Sequence, residues 1–588
     1  ETAAMSPALR SRCADETPAP SGSDGCLRCL PPSSKLRQYL SVALAGLAVF
    51  SMGGLCFGFD SMYPILYSSG AFVHYCSAEE EASCAARPLE LRDSKCCEKQ
   101  LSAFVTLTSV SLFGADGVMV LYGELVDRAG PRWCMSVALA LAWLGIGLIS
   151  FNASLMKNQI DMLWLLAFPL LGISGPGIFM AVLSFGEVYP RLEPIITPLA
   201  ASMFDGSAFV FLFWKLLFQL GGFSLAFIAA LWLAVSLVVG AFTWSLLLSH
   251  RQTEAMREEH KQHEKSAELQ PTVEDAPPTI ETVQAHPWYS DRDGLFDLFL
   301  RTDTVLLLAF MCLANLNQSF YIETFADQAR QMLPEEQADE IVEVFDVVFP
   351  FLSVATTPLA IFLVNRYNHR EYVYLAVVVG LSCLFGITQI FPMRNAQYLA
   401  AIMFGPARTL QWACYFHYLA TPSRYPSATI GRMVGYANLL IAIVGDGPPY
   451  ALAAFIQRGS FPSTESERYV FVHAGLMMGV VALSIALPGH LWWAARVRTQ
   501  RLRFSTLRAL HIASHMDPSR SKASSTRSFE MELGMAAVAD EELPGSTASA
   551  GTERGEKVKL HVTCEGSDEV GFSDGFHDDG HRLTTRLP

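Results

Sequence analysis

Gly123-Glu124-Leu125-Val126-Asp127-Arg128-Ala129-Gly130-Pro131-Arg132 lies between two long apolar runs. Residues 100–123 carry one charge, Asp116, and residues 133–156 carry none. Each run has the length of a membrane crossing, about 20 residues, so the charged decapeptide reads as a tight turn at a membrane surface. Glycine lets helix ends approach and reverse. An Asp-Arg pair can engage a neighbouring helix end and be released when two bodies rock.

Outward from this turn the same pattern recurs. Runs free of Asp, Glu, Lys and Arg cover residues 40–59, 133–156, 162–186, 216–250, 304–322, 347–365, 372–393 and 469–495. Four further runs are interrupted by one charge each: 100–123 by Asp116, 194–214 by Asp205, 395–423 by Arg408 and 433–457 by Asp446. Together they predict twelve spans. The expected organisation is an N-terminal tail 1–38, a bundle 39–248 with a loop at 63–99, a linker 249–302, a second bundle 303–495 and a tail 496–588. The linker and the tails are polar, without lasting apolar periodicity, and read as disordered. No cleavable secretory signal is read ahead of residue 40, so that run is taken as the first span.

Composition excludes several classes. With 588 residues, 51% hydrophobic, and a net charge of −14, the chain is neither a soluble multidomain enzyme nor a partner for nucleic acid, which calls for a basic patch. Its 13 cysteines are scattered; Cys26 and Cys29 form a lone C-x-x-C, so no metal site is expected. There is no nucleotide motif, no cofactor motif and no nucleophile–base arrangement; His74, His417 and His473 are isolated. The expectation is a protein that is not an enzyme.

The opening decapeptide resembles the G-x-x-x-D-R-x-G-R-R signature of the major facilitator superfamily. Within it, Asp127 to Arg132 looks like the L-type neutral amino-acid facilitators and the related apicomplexan amino-acid transporters. Gly58-Phe59-Asp60-Ser61, Phe204-Asp205-Gly206-Ser207 and Phe320-Tyr321 are similar to further elements of those carriers. The resemblance implies an all-α integral membrane protein with twelve transmembrane helices in two six-helix pseudo-symmetric halves, working by alternating access. It also implies that spans 1, 4, 7 and 10 line a central cavity, 2, 5, 8 and 11 form the seam, and 3, 6, 9 and 12 face lipid. The lone charges agree, falling on spans 2, 5, 10 and 11.

A charge in the middle of a span costs about 2.5–3.5 kcal/mol on insertion scales, so each calls for a role. Arg408 can hold a carboxylate bidentately; it is assigned to the substrate carboxylate, with an ion pair to Asp205 or Asp446 as the structural alternative. Asp205 is assigned to the substrate ammonium and Asp446 to locking one state. Ser61, Ser207, Asn315, Asn317 and Tyr321 are candidates for binding the amino-acid backbone. Asn315 and Asn317 lie two residues apart and cannot share a helical face, so one of them is a helix–helix contact. Gly123, Asp127, Arg128, Gly130 and Arg132 form the gating hinge. Asp116, three helical turns before Asp127, is placed with them. The second-half counterpart, residues 365–370, has Asn365 in place of the aspartate. Gly172, Gly175 and Gly177 with Pro176 predict close packing, or a broken helix.

Basic residues beside the first, sixth and twelfth spans place both termini and the linker in the cytoplasm, with the plasma membrane as the expected location. The loop 63–99 then lies outside, where Cys76 is expected to pair with Cys96 or Cys97. The functional expectation is a carrier of large neutral, aromatic or cationic amino acids, by uniport or exchange. Proton coupling through Asp205 or Asp446 and a transporter-like nutrient receptor are the alternatives.

Overall fold

The computed structural model describes residues 35–77, 98–155, 159–189, 192–247, 294–367, 370–421, 424–426, 429–458 and 462–516. Cys26, Cys29, Cys96, Cys97 and most of the expected linker and tails lie outside them. The chain divides into two units, Glu1–His511 and Ile512–Pro588. Everything below concerns the first; of the second, only the end of a helix, residues 512–516, is described.

No strand occurs among the described residues. The long helices are, in chain order, α1 (Gln38–Ser69), α2 (Ser102–Ala129), α3 (Pro131–Ser154), α4 (Asp161–Gly186), α5 (Glu193–Gln219), α6 (Leu225–Leu246), α7 (Thr302–Met332), α8 (Glu336–Tyr367) and α9 (Glu371–Gln389). They continue with α10 (Arg394–Ala420) and α11, which joins Ile430–Ile441, a π-helical turn Ala442–Asp446 and Pro449–Arg458. The last is α12 (Glu465–Arg498). Ten of these are long and apolar enough to cross a membrane. The other two stand where spans are expected. α10 has 27 residues, about 40 Å of helix, but its buried polar set of Gln397, Arg408, Gln411 and His417 dilutes its apolarity. α11 is interrupted at Asp446.

Several boundaries differ from expectation. Residues Tyr63–Ser69 continue α1 as a helix, α7 runs past Ile322 to Met332, and α8 begins well before residue 347. A charge-free run ends at the first charge, whereas a helix continues through a charge that protein can solvate. Beyond Arg496, where the tail was expected, the helix Glu465–Met516 carries on.

Burial separates the helices. α1, α4, α5 and α7 are 61–78% buried in their apolar stretches, against 28–44% for α3, α6, α9 and α12 and 39% and 44% for α2 and α8. The outer four expose large apolar side chains such as Phe151, Phe242, Leu384, Met478 and Ile485, as a lipid-facing surface requires. α2 packs along α11, and α5 packs against α8 and α10, so the implied seam is present. All four seam helices are built in two pieces: α2 is interrupted at Val118, α5 at Ser207–Ala208, α8 at Thr356 and α11 at its π-turn. The outer helices and α4, α7 and α10 have no such joint. At α2 and α8 the i→i−4 bonds continue through the joint, with Val118 N donating to Gly114 and Thr356 N to Leu352.

Two glycines make the tight approaches possible. A Cβ on Gly123 would collide with the Gly431 carbonyl across the seam, and one on Gly175 with the Gly53 carbonyl of α1. The glycines of α4 thus serve packing, and α4 stays one helix through Pro176.

Candidate functional site

A small cavity lies between α1, α2, α4, α5 and α10. Its walls are aromatic, with Phe57, Phe179, Phe204, Trp412 and Phe416, and its charges are Asp116, Asp205 and Arg408. Asp205 sits in the last turn of the first piece of α5, beside the joint. Arg408 follows Pro406 by two residues on α10. Its Nε donates to Asp205 Oδ1 at 3.1 Å, and both side chains are under 5% exposed. Thr409 Oγ1 donates to the other oxygen, Oδ2, at 3.3 Å. The guanidinium carbon lies 4.3 Å from the Phe57 ring centroid, within cation–π range. A charge buried this deeply is tolerable only when paired, and Asp205 is the pair.

Asn315 of α7 extends this pair. Its Oδ1 accepts from Arg408 Nη1 at 3.4 Å, and its Nδ2 donates to Asp446 Oδ1 at 2.7 Å. Only this amide orientation satisfies both neighbours, because arginine cannot accept and a carboxylate cannot donate. Ser319, one turn further along α7, donates to the same Asp446 oxygen at 2.7 Å. Asp116 of α2 lines the same cavity as Asp205 and Arg408. Asp116 therefore belongs to the central site and not to the hinge.

The other candidates are dispersed. Asn317 Oδ1 accepts from His473 Nδ1, 3.2 Å away on α12, and is the helix–helix contact of the two asparagines. Tyr321 is fully buried among Phe325, Phe345, Phe385 and Phe404, away from the cavity. Ser207 donates to the Phe204 carbonyl at 2.7 Å and so satisfies the α5 joint. Ser61 lies against Asp346 of α8.

At the hinge, Asp127 crosses the seam. Its Oδ2 accepts from the backbone N of Arg432 at 3.0 Å and from Arg432 Nε at 3.3 Å, at the start of α11, where the helix dipole favours an anion. Gly130 has φ +88° and closes α2 by donating to Leu125 and Val126, a backbone shape that calls for glycine. Arg132 faces its own half, donating from Nε to the Leu247 carbonyl at 2.6 Å and stacking on Trp244. Arg128 pairs with Glu124 one turn back and is 79% exposed. Cys76 is disulfide-bonded; Cys96 lies outside the described residues.

Several contacts were not anticipated. Near the opposite end of the seam, Lys215 of α5 pairs with Asp346 of α8 at 3.4 Å, and Ser109 of α2 donates to Glu323 of α7 at 3.1 Å. At the hinge end, His417 Nδ1 of α10 lies 3.0 Å from Glu193 Oε1 of α5. Asp60 and Glu323 line a second, smaller cavity. Lys215, Asp60, Glu323 and Asp346 each border a charge-free run, where a charge reads as the end of a span.

Residues 100–445, more than half of the chain, match a family model described as the Major Facilitator Superfamily. Protein FMP42 of Saccharomyces cerevisiae is 28% identical over 192 residues, which cover 32% of this chain; the match spans about a third (34%) of the length of that curated relative. Among solved structures, a bacterial homologue of the iron transporter ferroportin in its outward-facing state superposes with a TM-score of 0.47 at 11% identity, over 76% of this chain and 98% of that one. The human organic anion transporter MFSD10 (TETRAN) gives 0.49 at 11%, over 77% and 100%.

Proposed function

The chain belongs to the Major Facilitator Superfamily, and from that premise we propose that it carries an amino acid across its membrane by alternating access. It is a multi-pass membrane transporter and not an enzyme. The observation that carries the substrate reading is Arg408, a guanidinium 3% exposed on the wall of the central cavity. Two of its N–H groups are held by Asp205 and Asn315, and the fork retains further donors for an incoming carboxylate. Asp205 is then released to take the substrate ammonium. A zwitterion thus replaces both halves of an internal ion pair, and neither charge is left buried alone.

The aromatic walls of the cavity support a large neutral or aromatic side chain, or a cation stacked on Phe57. The basic residues beside the first, sixth and twelfth spans support cytoplasmic termini, and the plasma membrane is the location we propose. Radiolabelled phenylalanine, leucine and arginine uptake in oocytes, competed by a panel of unlabelled amino acids, tests the reading. Competition by amino acids, lost when the carboxylate is esterified, is expected; competition only by sugars or by organic anions without an ammonium overturns it.

A further inference from the structure

We propose that the Trp412 indole N–H is a second donor to the substrate carboxylate, beside Arg408, so that the carboxylate of the zwitterion is held on α10 and its ammonium on the first bundle. That the ligand is a zwitterion rests on the amino-acid reading above; the paired donors do not.

Trp412 is 6% exposed and lines the central cavity. Its Nε1 has no acceptor among the described residues. A buried indole N–H usually finds one: Trp164 donates to Gln159, Trp232 to the Ser51 carbonyl and Trp244 to Ser136. Trp143 and Trp214 share the unpartnered Nε1, but neither lines this cavity. Trp412 therefore combines a buried donor, no protein acceptor and a place on the wall where a ligand would sit.

Among the residues that line the cavity, Arg408 and Trp412 alone carry a side-chain N–H. The phenylalanines offer only rings, and Asp116 and Asp205, when ionised, only accept. Arg408 and Trp412 lie one helical turn apart on α10, which sets them side by side on one face. The guanidinium carbon is 5.8 Å from the centre of the Trp412 ring. Phe416 stacks on that ring at 5.4 Å and Tyr415 meets it edge-on at 5.5 Å, so the indole is held in place beside the guanidinium before any ligand arrives.

The cavity is thereby two-sided. Its donors stand on α10 of the second bundle, and its acceptors, Asp116 on α2 and Asp205 on α5, on the first. A carboxylate brings two oxygens with lone pairs for about four hydrogens, while Arg408 already places Nε on Asp205 and Nη1 on Asn315. The remaining guanidinium N–H groups serve one oxygen and the Trp412 N–H the other. A zwitterion held this way spans the seam, a contact on which two halves can close. The same pair discriminates: an amino-acid amide turns one acceptor oxygen into an NH2 that faces a donor, and the unpaired buried groups penalise it.

Thermal-shift titration of the purified full-length protein tests this, with phenylalanine, leucine, arginine and 3-phenylpropanoate as probes. Two changes remove the donor: Trp412→Phe, and benzothienylalanine incorporated at position 412, which keeps the two-ring shape and lacks the N–H. In both, the apparent Kd of the stabilising probe should rise about tenfold or more, as for a lost hydrogen bond to a charged group. With 5-fluorotryptophan at position 412, which keeps the N–H, it should stay within about twofold of the wild type. An unchanged Kd in the benzothienylalanine protein overturns the donor role; if Trp412→Phe fails to fold, that protein decides. A wild type stabilised by none of the four probes overturns the carboxylate site. Stabilisation by 3-phenylpropanoate alone, weakened when the N–H is removed, upholds the paired donors and overturns the amino-acid reading instead.

Discussion

The buried charges at the base of the second bundle and those across the seam are built to different standards. At the base, Arg424 is 1% exposed and meets Asp303 at 2.9 Å and Glu371 at 3.1 Å, together with the Tyr418 hydroxyl at 2.8 Å. Arg301 binds both oxygens of Asp303 and the Arg424 carbonyl, and Tyr418 donates to Asp303. This network ties the starts of α7 and α9 to the end of α10 and the connection beyond it. Across the seam, Lys215 meets Asp346 at 3.4 Å, His417 lies 3.0 Å from Glu193, and Arg408 holds Asp205 at 3.1 Å. Asp127 grips Arg432 by two bonds. The difference follows from what each must do. The alternating access proposed above leaves each half intact and opens one end of the seam at a time, so bonds within a half can be multiple while bonds across it must be weak enough to break.

The largest expected effect is therefore on the base network. Removing Arg424 leaves Glu371 and part of Asp303 buried without their cation, a loss on the order of 3–5 kcal/mol for such sites. Arg424→Met is expected to lower the melting temperature in detergent markedly and to reduce the amount of protein reaching the membrane. A variant that melts like the wild type would erase the distinction drawn here. Next in size is Arg408→Gln, which should cut uptake at least tenfold at normal surface level, and with far less thermal loss than Arg424→Met, because Asp205 keeps Thr409 as a donor. Transport at normal affinity would remove Arg408 from the binding role.

That contrast also explains what could be read before the structure. Twelve apolar runs are visible because hydrocarbon tolerates so few charges, and Asp116, Asp205, Arg408 and Asp446 stand out as charges inside such runs. Their pairing is not visible, since it depends on how α2, α5, α7, α10 and α11 pack around one another. Asp116 reads as part of the hinge by a count of turns along α2, whereas the cavity it lines is made by the packing of five helices. The Arg424 network escaped notice because Arg301, Asp303, Glu371 and Arg424 flank span ends, where charges are ordinary. Lys215 and Asp346 escaped because each was taken as the edge of a span. Tyr321 and Ser207, singled out by resemblance, have local partners, and only side-chain packing reveals that.

Asp127 and Lys215 sharpen the comparison, since they act at opposite ends of the seam. Loss of a charged hydrogen bond is worth about 1.5–3 kcal/mol, enough to move a conformational equilibrium tenfold or more. Asp127→Asn is expected to favour opening at the hinge end, and Lys215→Met opening at the other. The check is the labelling rate of a single cysteine placed in the cavity wall, measured with membrane-impermeant reagents from each side. Opposite shifts fit the scheme; shifts in the same direction would show that the two contacts do not guard different ends.

The smallest effect belongs to Arg128, although it sits in the most recognisable motif of the chain. Its recorded partner is Glu124 at 2.9 Å, one turn back on the same helix, and the side chain is 79% exposed. Exposed pairs of this spacing contribute a few tenths of a kcal/mol, and the motif's cross-seam work is done by Asp127 on Arg432. Arg128→Ala should therefore leave the melting temperature within about a degree and uptake within about twofold. A tenfold fall in uptake at unchanged stability would mean that Arg128 leaves Glu124 in another state of the cycle and crosses the seam there, making the hinge a two-residue device and not the single anchor seen here.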